Sequence, residues 1–407
     1  MKFLHLSDLH IGLKLINRDL REDQEYILDQ AVELAKEILP DAIVIAGDIY
    51  DKAIPSAEAV EVFDRFIASL KKNLPDTAVM MISGNHDSAR RIDCYRSVLE
   101  LENFYMIGMP PQKEDEHIRR VTLNDEYGPV HFWLLPFIKP TMVRQIVGTD
   151  EKGNNLSYHE SVKRMLEREE IHTDERNVLV SHQFYLPAGK SADEIERADS
   201  EIRTVGNIDE ISAEVLKPFD YAALGHIHKP MKVGSEIWRY PGTPLASSVS
   251  EAGQQKGMIL VEMGPKGDAA GLGDAAGSGE AVEPGKAAGI GETVKTKVIP
   301  FKPLRQLKVI SGSFLEVLGQ ACDDYVSVEL TDNKDLDMID ARDRIRLAFP
   351  NLLEVRRKTI HRADYSSAAA KAAVTKDPFE LCSAFLPDMS EEQEKIMKDV
   401  INSILGS

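Results

Sequence analysis

The amino-acid sequence predicts a layered α/β fold with buried sheets. In the first 263 residues, short apolar runs alternate with longer stretches in which apolar residues recur at helical spacing. The short runs are rich in Val, Ile, Leu and Ala at nearly every position. Such continuity is typical of strands that are covered on both faces, and their alternation with helices is typical of α/β proteins.

Seven apolar runs are predicted to be strands because Gly, Pro or Asp bounds most of them. In chain order they are KFLHLS, AIVIAG, AVMMIS, VHFWLL, NVLVS, YAALG and GMILVE. Two amphipathic helices are predicted between the early strands, from the spacing of apolar residues between Leu20 and Ile38 and between Val60 and Leu70. Ser56 is placed to cap the second helix.

Length and composition exclude several classes of protein. A chain of 407 residues suits two domains better than one. No apolar run approaches the roughly 20 residues that a membrane-spanning helix needs, and His5, Asp8 and His10 interrupt the apolar core that a signal peptide would need. The three cysteines are scattered without C-x-x-C spacing, which argues against a disulfide framework and a thiolate zinc site. We therefore expect a protein of the reducing cytoplasm that does not bind membranes.

The formal net charge of -18 has the wrong sign for a protein that binds nucleic acid by charge alone. If phosphates are the substrate, bound cations, a basic patch or a basic partner must offset this charge. Residues 293–362 contain 13 Lys or Arg against 10 Asp or Glu. This local composition is equally compatible with a surface that faces phosphates and with a solvated surface of mixed charge.

Changes in composition divide the chain into four segments. Residues 1–263 are the predicted α/β domain. Residues 264–292 hold nine of the 26 glycines and almost no large apolar residue, which predicts a flexible Gly/Ala-rich linker or loop. Residues 293–365 are predicted to be compact, with strands at VKTKVIPF, YVSVEL and LLEVRRK and a helix at LDMIDARDRIRLAF. Residues 366–407 are a predicted linker with C-terminal helices, and the apolar stripe from Ile396 to Leu405 suits either its own domain or a partner.

Polar side chains follow five of the predicted strands directly. In open α/β sheets, ligands bind at the carboxyl ends of the strands, so we expect these side chains to converge. In chain order they are Asp8 and His10, Asp48 and Asp51, Asn85 and His86, His182, and His226 and His228.

These side chains predict a site for two metal ions. Carboxylates, an amide and imidazoles without thiolate suit Mn, Fe or Zn. Seven candidate ligands among these nine side chains are too many for one ion but suit two if a carboxylate bridges them. Asp48 is the natural bridge because it follows a glycine at the end of a buried strand. Two ions about 3.5–4 Å apart can clamp a phosphoryl group and activate a water. A hydrogen-bonded turn explains each motif alone as well as a metal site does. It does not explain why five such motifs each follow a predicted strand.

The ordered motifs D-x-H, G-D-x-x-D, G-N-H-D, a lone strand-end His and G-H-x-H resemble those of the calcineurin-like metallophosphoesterase superfamily. Within it, MKFLHLSDLHIG, GDIYDKAIPS, GNHDSARR, and YAALGHIHKP followed by YPGTPL are similar to the bacterial SbcD family, the nuclease subunits of the SbcCD complex. The likeness extends over residues 1 to about 263 in its motifs and over the later regions only in layout. The glycine-rich segment has no counterpart in the family pattern.

The resemblance implies a two-layer β-sandwich flanked by helices, with a smaller α+β capping domain and C-terminal partner-binding helices. It also implies two Mn²⁺ ions at the strand ends, with Mg²⁺ or another divalent metal as a substitute. The implied ligands form two sets that share Asp48: Asp8, His10 and His228 for one ion, and Asn85, His182 and His226 for the other.

Roles for neighbouring residues are implied as well. His86 would be the catalytic residue that faces the scissile phosphate and would not bind metal. Asp51 and Asp87 would support the ligands from behind. Arg90 and Arg91, just beyond the catalytic loop, are candidate DNA contacts.

The implied activity is that of a Mn-dependent DNA nuclease, a 3′–5′ double-strand exonuclease and a single-strand or hairpin endonuclease in DNA end processing, repair and recombination. The implied partners are an SbcC-like SMC-type ATPase, whose coiled coil would bind the C-terminal helices, duplex and hairpin DNA, and a second copy of the chain. A small-molecule phosphodiesterase or phosphatase on the same fold is the first alternative. The second is a non-catalytic adaptor, although such a protein would be expected to have lost ligands.

Overall fold

The computed structural model describes residues 1–94, 96–187, 189, 209–266, 293–332, 338–357, 393 and 397. Residues 1–357 form one compact unit and residues 358–407 form a second. The predicted linker from residue 267 onward lies outside the described residues. The same holds for the predicted C-terminal helices apart from two single positions.

All seven strands and both helices predicted for the first 263 residues are present. The strands are β1 (Lys2–Leu6), β2 (Lys14–Leu15), β3 (Arg18–Asp19), β4 (Ala42–Ala46), β5 (Ala78–Ile82), β6 (Phe104–Ile107), β7 (Arg119–Asp125), β8 (Gly128–Leu135), β9 (Arg176–His182), β10 (Phe184–Leu186), β11 (Glu210–Ser212), β12 (Tyr221–Gly225), β13 (Met231–Lys232), β14 (Trp238–Tyr240), β15 (Gly257–Met263), β16 (Val294–Pro300), β17 (Leu307–Gly312), β18 (Tyr325–Leu330) and β19 (Leu352–Arg357). The helices are α1 (Arg21–Ile38), α2 (Ala57–Asn73), α3 (Ala89–Ile92), α4 (Arg96–Leu99), α5 (Pro140–Val147), α6 (Tyr158–Glu167), α7 (Phe314–Leu318) and α8 (Met338–Ala348). Within the described ranges, no helix has the length and apolar character needed to cross a membrane.

Two six-stranded sheets form the body of the molecule, in the orders β16-β15-β1-β4-β5-β6 and β13-β14-β12-β9-β8-β7. In the first sheet, β1, β4, β5 and β6 are parallel to one another. At the β1 side, β15 pairs antiparallel with β1, and β16 pairs antiparallel with β15. In the second sheet, β8, β9, β12 and β14 are parallel. Parallel pairing directs the carboxyl ends of the central strands of each sheet to one edge.

Side chains on the central strands alternate between two cores. Val44 on β4 packs between the sheets with Phe132 and Val180 of the opposite sheet, whereas its neighbours Ile43 and Ile45 pack under the helices. Helices α1 and α2 cover the outer face of the first sheet, and α5 and α6 cover that of the second. Burial on both faces explains the uninterrupted apolar runs. The predicted two-layer β-sandwich flanked by helices is confirmed.

Helix α2 begins where the sequence predicts, but its buried face is rotated. The hydroxyl of Ser56 accepts a hydrogen bond from the backbone N–H of Ala59 at 3.3 Å, which confirms the predicted cap. Val60, which the helical spacing assigns to the core, is 44% exposed. Ala59 is buried instead, and a Cβ on Gly12 would lie only 3.0 Å from the Ala59 Cβ, so two small residues let this helix approach the loop after β1 closely.

A third sheet contains the parallel strands β17-β18-β19, and α7 and α8 connect them. The sequence predicts β18, α8 and β19 but not β17. Strand β16, which the predicted boundary at residue 293 assigns to the capping domain, pairs with β15 over its whole length. Hydrogen bonds join the third sheet to α1, since Tyr325 and Arg305 donate to the Asp23 carboxylate at 2.7 and 2.8 Å.

Asp125, at the turn between β7 and β8, joins the amino-terminal ends of strands from both sheets. Its carboxylate accepts hydrogen bonds from the amino group of Met1 at 2.6 Å and from the guanidinium of Arg176 at 2.9 Å. Arg176 holds the pKa of Asp125 well below its usual range, although partial burial opposes this shift.

We predict that Asp125→Asn lowers the free energy of unfolding by about 3 kcal/mol at neutral pH, because it leaves the buried Arg176 without its counter-charge. A lowered carboxyl pKa stabilises the fold above the unfolded-state value of about 3.9, and this stabilisation is lost as the pH falls through the folded value. The difference between wild type and variant should therefore shrink below about pH 4. Urea unfolding from pH 7 down to pH 3 measures it, and a difference that stays constant with pH would contradict the prediction.

Candidate metal centre

Five loops bring the predicted ligands together at the carboxyl ends of β1, β4, β5, β9 and β12. The first three strands belong to one sheet and the last two to the other, so the site spans the sandwich. Backbone hydrogen bonds hold the loops side by side, from the N–H of Asp8 to Gly47 O at 2.9 Å and from the N–H of His10 to Asp48 O at 3.0 Å. The N–H of His226 donates to the Asp8 carboxylate at 3.0 Å and joins the second sheet to the first.

The first set of side chains contains Asp8, His10 and His228, whose ligand atoms lie within 4.8 Å of one another. The Nε2 atoms of the two histidines are 3.1 Å apart. Two nitrogens bound to one ion at about 2.1 Å and at a right angle would be separated by roughly 3 Å. All three side chains are buried, so the set has the spacing and the burial of ligands that share one cation.

In the second set, two imidazoles converge on one amide oxygen. Asn85 Oδ1 is 3.1 Å from His182 Nε2 and 2.8 Å from His226 Nδ1. His182 Nδ1 lies 2.7 Å from the carbonyl oxygen of Ala46. When Nδ1–H donates to that carbonyl, Nε2 is left to face the site, which is the usual arrangement of a metal-binding histidine.

Asp48 lies between the two sets. Its Oδ2 is 3.2 Å from His182 Nε2 and 3.7 Å from His10 Nε2, so one carboxylate oxygen reaches a member of each set. Its other oxygen accepts a hydrogen bond from the N–H of His86 at 2.8 Å. A bridging ligand requires this intermediate position.

Burial and the mutual attraction of these groups control their charges. Burial favours neutral Asp48, but His182 outweighs it and holds the pKa of Asp48 well below its usual range. Burial likewise opposes charging of His182, yet Asp48 raises the pKa of His182 to about 9. Burial keeps the pKa of His10 well below its usual value. Asp48 thus favours positive charge next to it, and a divalent cation in place of the His182 proton would satisfy the same oxygen and nitrogen atoms.

The backbone is strained at the candidate ligands. Seven non-glycine residues in the described chain have positive φ, and four of them are Asp8, His10, Asp48 and His226, at 53°, 43°, 50° and 110°. Non-glycine residues adopt such angles only at a cost, and the cost is concentrated at functional sites. Positive φ changes the direction of the chain at these residues, so their side chains take orientations that a continued extended strand would not allow.

Two of the three glycines before the candidate ligands, Gly84 and Gly225, serve a different purpose from the one that the sequence suggests. Glycine before Asp48, Asn85 and His226 predicts tight turns, but of these three glycines only Gly47 has positive φ. A Cβ on Gly84 would lie 2.1 Å from Asp48 Oδ1, and one on Gly225 would lie 1.8 Å from Ala46 O. Gly84 and Gly225 are therefore required because neighbouring loops touch their backbones.

Asp87 joins the loops of two candidate ligands by hydrogen bonds. Its carboxylate accepts hydrogen bonds at 2.9–3.0 Å from the backbone N–H groups of Ile49, Tyr50 and Gly84, which holds two ligand loops together. Burial, followed by repulsion from Asp48, raises the pKa of Asp87 to about 6.

His86 is partly exposed at the edge of the site, and its Nδ1 lies 2.9 Å from the carbonyl oxygen of Asp51. The Asp51 carboxylate is half-buried and lies 3.9 Å from His10 Nδ1. His86, His10 and Asp48 also fall within 4.8 Å of one another, so distance alone does not separate His86 from the ligands.

Arg90 and Arg91 lie on the short helix α3, beyond the loops of the candidate ligands, and both are exposed. Arg90 lines a surface cleft together with Arg96 and Arg119. Arg96 and Arg119 both donate to the Glu100 carboxylate, and Arg96 also lies 3.9 Å from the Asp93 carboxylate. Arg90 therefore lies beside two arginines that are already paired with carboxylates.

Sequence reasoning missed a group of buried polar residues behind His228. Ser247 Oγ lies 2.9 Å from His228 Nδ1. The Ser247 hydroxyl is hydrogen-bonded to the Glu251 carboxylate, which also accepts a hydrogen bond from the Lys256 ammonium. The available signal was weak: Glu251 and Lys256 stand in a polar segment, SSVSEAGQQKG, which looks like an exposed loop.

We predict that Gly225→Ala lowers the free energy of unfolding by roughly 3 kcal/mol, because the new methyl group meets the fixed backbone at Ala46. Gly319→Ala is the matched control, since its nearest neighbours would be 3.5 Å away, and we expect a change below about 1 kcal/mol. Denaturant unfolding of the metal-free proteins measures both. Equal stability of Gly225→Ala and wild type would show that the loops do not pack as described.

Comparison with solved structures finds weak overall likenesses. TT1561 of Thermus thermophilus is 17% identical, over 60% of this chain and 89% of that one, with a TM-score of 0.35. A dimetal phosphatase from Danio rerio is 14% identical over 64% and 92%, with a TM-score of 0.36. GAP50, the anchor in the inner membrane complex of Plasmodium, is 11% identical over 87% and 96%, also at 0.36. Likenesses at these scores do not contribute to the assignment.

Two family models match the chain itself. Residues 300–390 match the SbcD_C model, described as the type 5 capsule protein repressor C-terminal domain. Residues 1–230 match the model of the calcineurin-like phosphoesterases. That second match covers more than half of the chain and contains every candidate ligand from Asp8 to His228. This chain belongs to the calcineurin-like phosphoesterase family.

Proposed function

We propose that the protein is a DNA nuclease that uses two divalent cations, Mn²⁺ by preference, and acts with an SbcC-like ATPase. The observation that carries the proposal is the meeting of two donor sets at one edge of the sandwich, with Asp48 between them. Bound there, two cations would clamp the phosphoryl oxygens of a phosphodiester, lower the pKa of water and stabilise the leaving oxygen.

The residues of the chain would divide the remaining work. Asp8, His10 and His228 would hold one ion, Asn85, His182 and His226 the other, and Asp48 both. Most of these side chains are buried, whereas Asn85 and His86 are partly exposed, so substrate would approach from their side. A bond from His86 Nδ1–H to the Asp51 carbonyl would orient the ring. When the ring carries a second proton, Nε2–H would be placed to stabilise or protonate the leaving oxygen.

Several observations favour DNA over a small phosphoester. A compact esterase needs neither a third sheet joined to the body by Asp23 nor a further C-terminal region. The match of residues 300–390 to the SbcD C-terminal model supports an SbcC-type partner. In this proposal residues 293–365 cap the site and grip DNA, and residues 366–407 bind the ATPase, with residues 264–292 as the linker. The partner would supply the positive charge that a chain of net charge -18 lacks, and the complex, containing two copies of this chain, would act in the cytoplasm.

The proposal predicts that the full-length protein with Mn²⁺ cleaves blunt-ended and hairpin DNA, and that an SbcC-type ATPase with ATP increases the rate. Asp48→Ala should lose both ions and all cleavage, because its carboxylate is shared. Gel assays of DNA cleavage and elemental analysis of Mn measure these outcomes. Rapid turnover of small phosphoesters with no cleavage of DNA would favour the rival phosphodiesterase. An unchanged Mn content in Asp48→Ala would contradict the bridging assignment.

We further predict that His86→Ala retains both ions and loses most cleavage, by roughly 10²–10⁴-fold in rate, as expected for a general acid–base group. Metal content decides between the two roles that distance permits, because a ligand would take an ion with it. Loss of one Mn per chain in His86→Ala would make His86 a ligand, and cleavage at the wild-type rate would exclude it from catalysis.

A further inference from the structure

A chain of buried hydrogen bonds leads from the candidate metal centre to an ion pair. His228 presents Nε2 to His10, and its other ring nitrogen, Nδ1, lies 2.9 Å from Ser247 Oγ. That hydroxyl lies 2.5 Å from Oε1 of Glu251. The side chain of Glu251 is fully buried, and it also accepts hydrogen bonds from Thr243 and Ser248 at 3.1 and 2.9 Å.

Lys256 completes the group and returns it to His228. Its ammonium donates to Glu251 Oε2 at 2.5 Å and to the backbone carbonyl oxygen of His228 at 2.9 Å. One ion pair therefore anchors His228 twice, through its ring by way of Ser247 and through its backbone directly. A buried pair of this kind adds little net stability, because removal of two charges from water costs as much as their attraction returns. Its value lies in the orientation that it imposes.

The chemistry of the groups sets the direction of each bond. An ionised carboxylate can only accept, so the Ser247 hydroxyl donates its proton to Glu251. The Ser247 oxygen is then an acceptor, and the proton of a neutral His228 ring belongs on Nδ1. Nε2 is left with its lone pair pointing into the site, as a metal ligand requires.

We propose that Ser247, Glu251 and Lys256 are positioning residues that fix the ring and the tautomer of His228 for a divalent cation. This inference rests on the proposed function, in which His228 is a metal ligand. His182 obtains the same orientation from the backbone carbonyl of Ala46. His228 depends on side chains instead, so its orientation can be changed by substitution.

The test is a titration of metal-stripped, full-length protein with Mn²⁺, followed by calorimetry and by electron paramagnetic resonance. Ser247→Ala removes the acceptor of Nδ1–H, and we expect the Mn²⁺ affinity of one of two sites to fall by about 10–100-fold while the other is unchanged. Ser247→Thr keeps the hydroxyl and should restore most of the affinity. Glu251→Gln should resemble Ser247→Ala, since an amide can turn its N–H toward Ser247 and reverse the bond.

Asp125→Asn is the matched control, because it breaks another buried ion pair at the opposite ends of the strands. It should lower stability and leave both Mn²⁺ affinities unchanged. Unchanged affinities in Ser247→Ala, or equal losses in Ser247→Ala and Ser247→Thr, would overturn the positioning role while the proposed function stands. A wild-type protein that binds no Mn²⁺ would overturn both.

Discussion

The face-to-face stacking of two sheets with parallel centres is the constraint on which the site depends. It brings the carboxyl ends of strands from both sheets to one edge, where residues 218 positions apart in the chain, Asp8 and His226, form a hydrogen bond. The core between the sheets, with Phe132 and Val180 facing Val44, determines how closely these ends approach. A change in that packing would move donors of one set relative to the other without altering any ligand.

Assembly of the site opposes folding in three ways. It buries carboxylates, it holds four non-glycine residues at positive φ, and it brings loop backbones so close that Gly84 and Gly225 admit no side chain. Hydrogen bonds offset part of this cost, as Asp87 shows by accepting three backbone N–H groups from two ligand loops. The three large hydrophobic cores, one between the sheets and one under each pair of helices, stabilise the strands that the candidate ligands follow.

The acidic character of the chain is compatible with a phosphate substrate only if positive charge is concentrated at the reaction centre. In the proposed function the side chains at the strand ends attract cations there, whereas Arg96 and Arg119 near α3 already share the Glu100 carboxylate. Positive charge would thus be local and dependent on metal, and under the proposed function wider contact with DNA would involve the third sheet, the C-terminal region and a partner. Asp23 of α1 accepts hydrogen bonds from Arg305 and from Tyr325 of the third sheet. These bonds connect the third sheet to the domain that contains the candidate ligands.

The sequence by itself determined ten of the strands, the helices α1, α2 and α8, the Ser56 cap and the types of residue at the strand ends, because each of these depends on neighbouring residues. Apolar runs followed by Asp, Asn or His are local patterns, and so the candidate ligands could be named before their geometry was known. Only the tertiary structure decided that β16 joins the first sheet, that Ala59 rather than Val60 faces the core, and why Gly225 has no side chain. It alone revealed Glu251 and Lys256 behind His228. These features arise from contacts between distant parts of the chain, and no local pattern encodes such contacts.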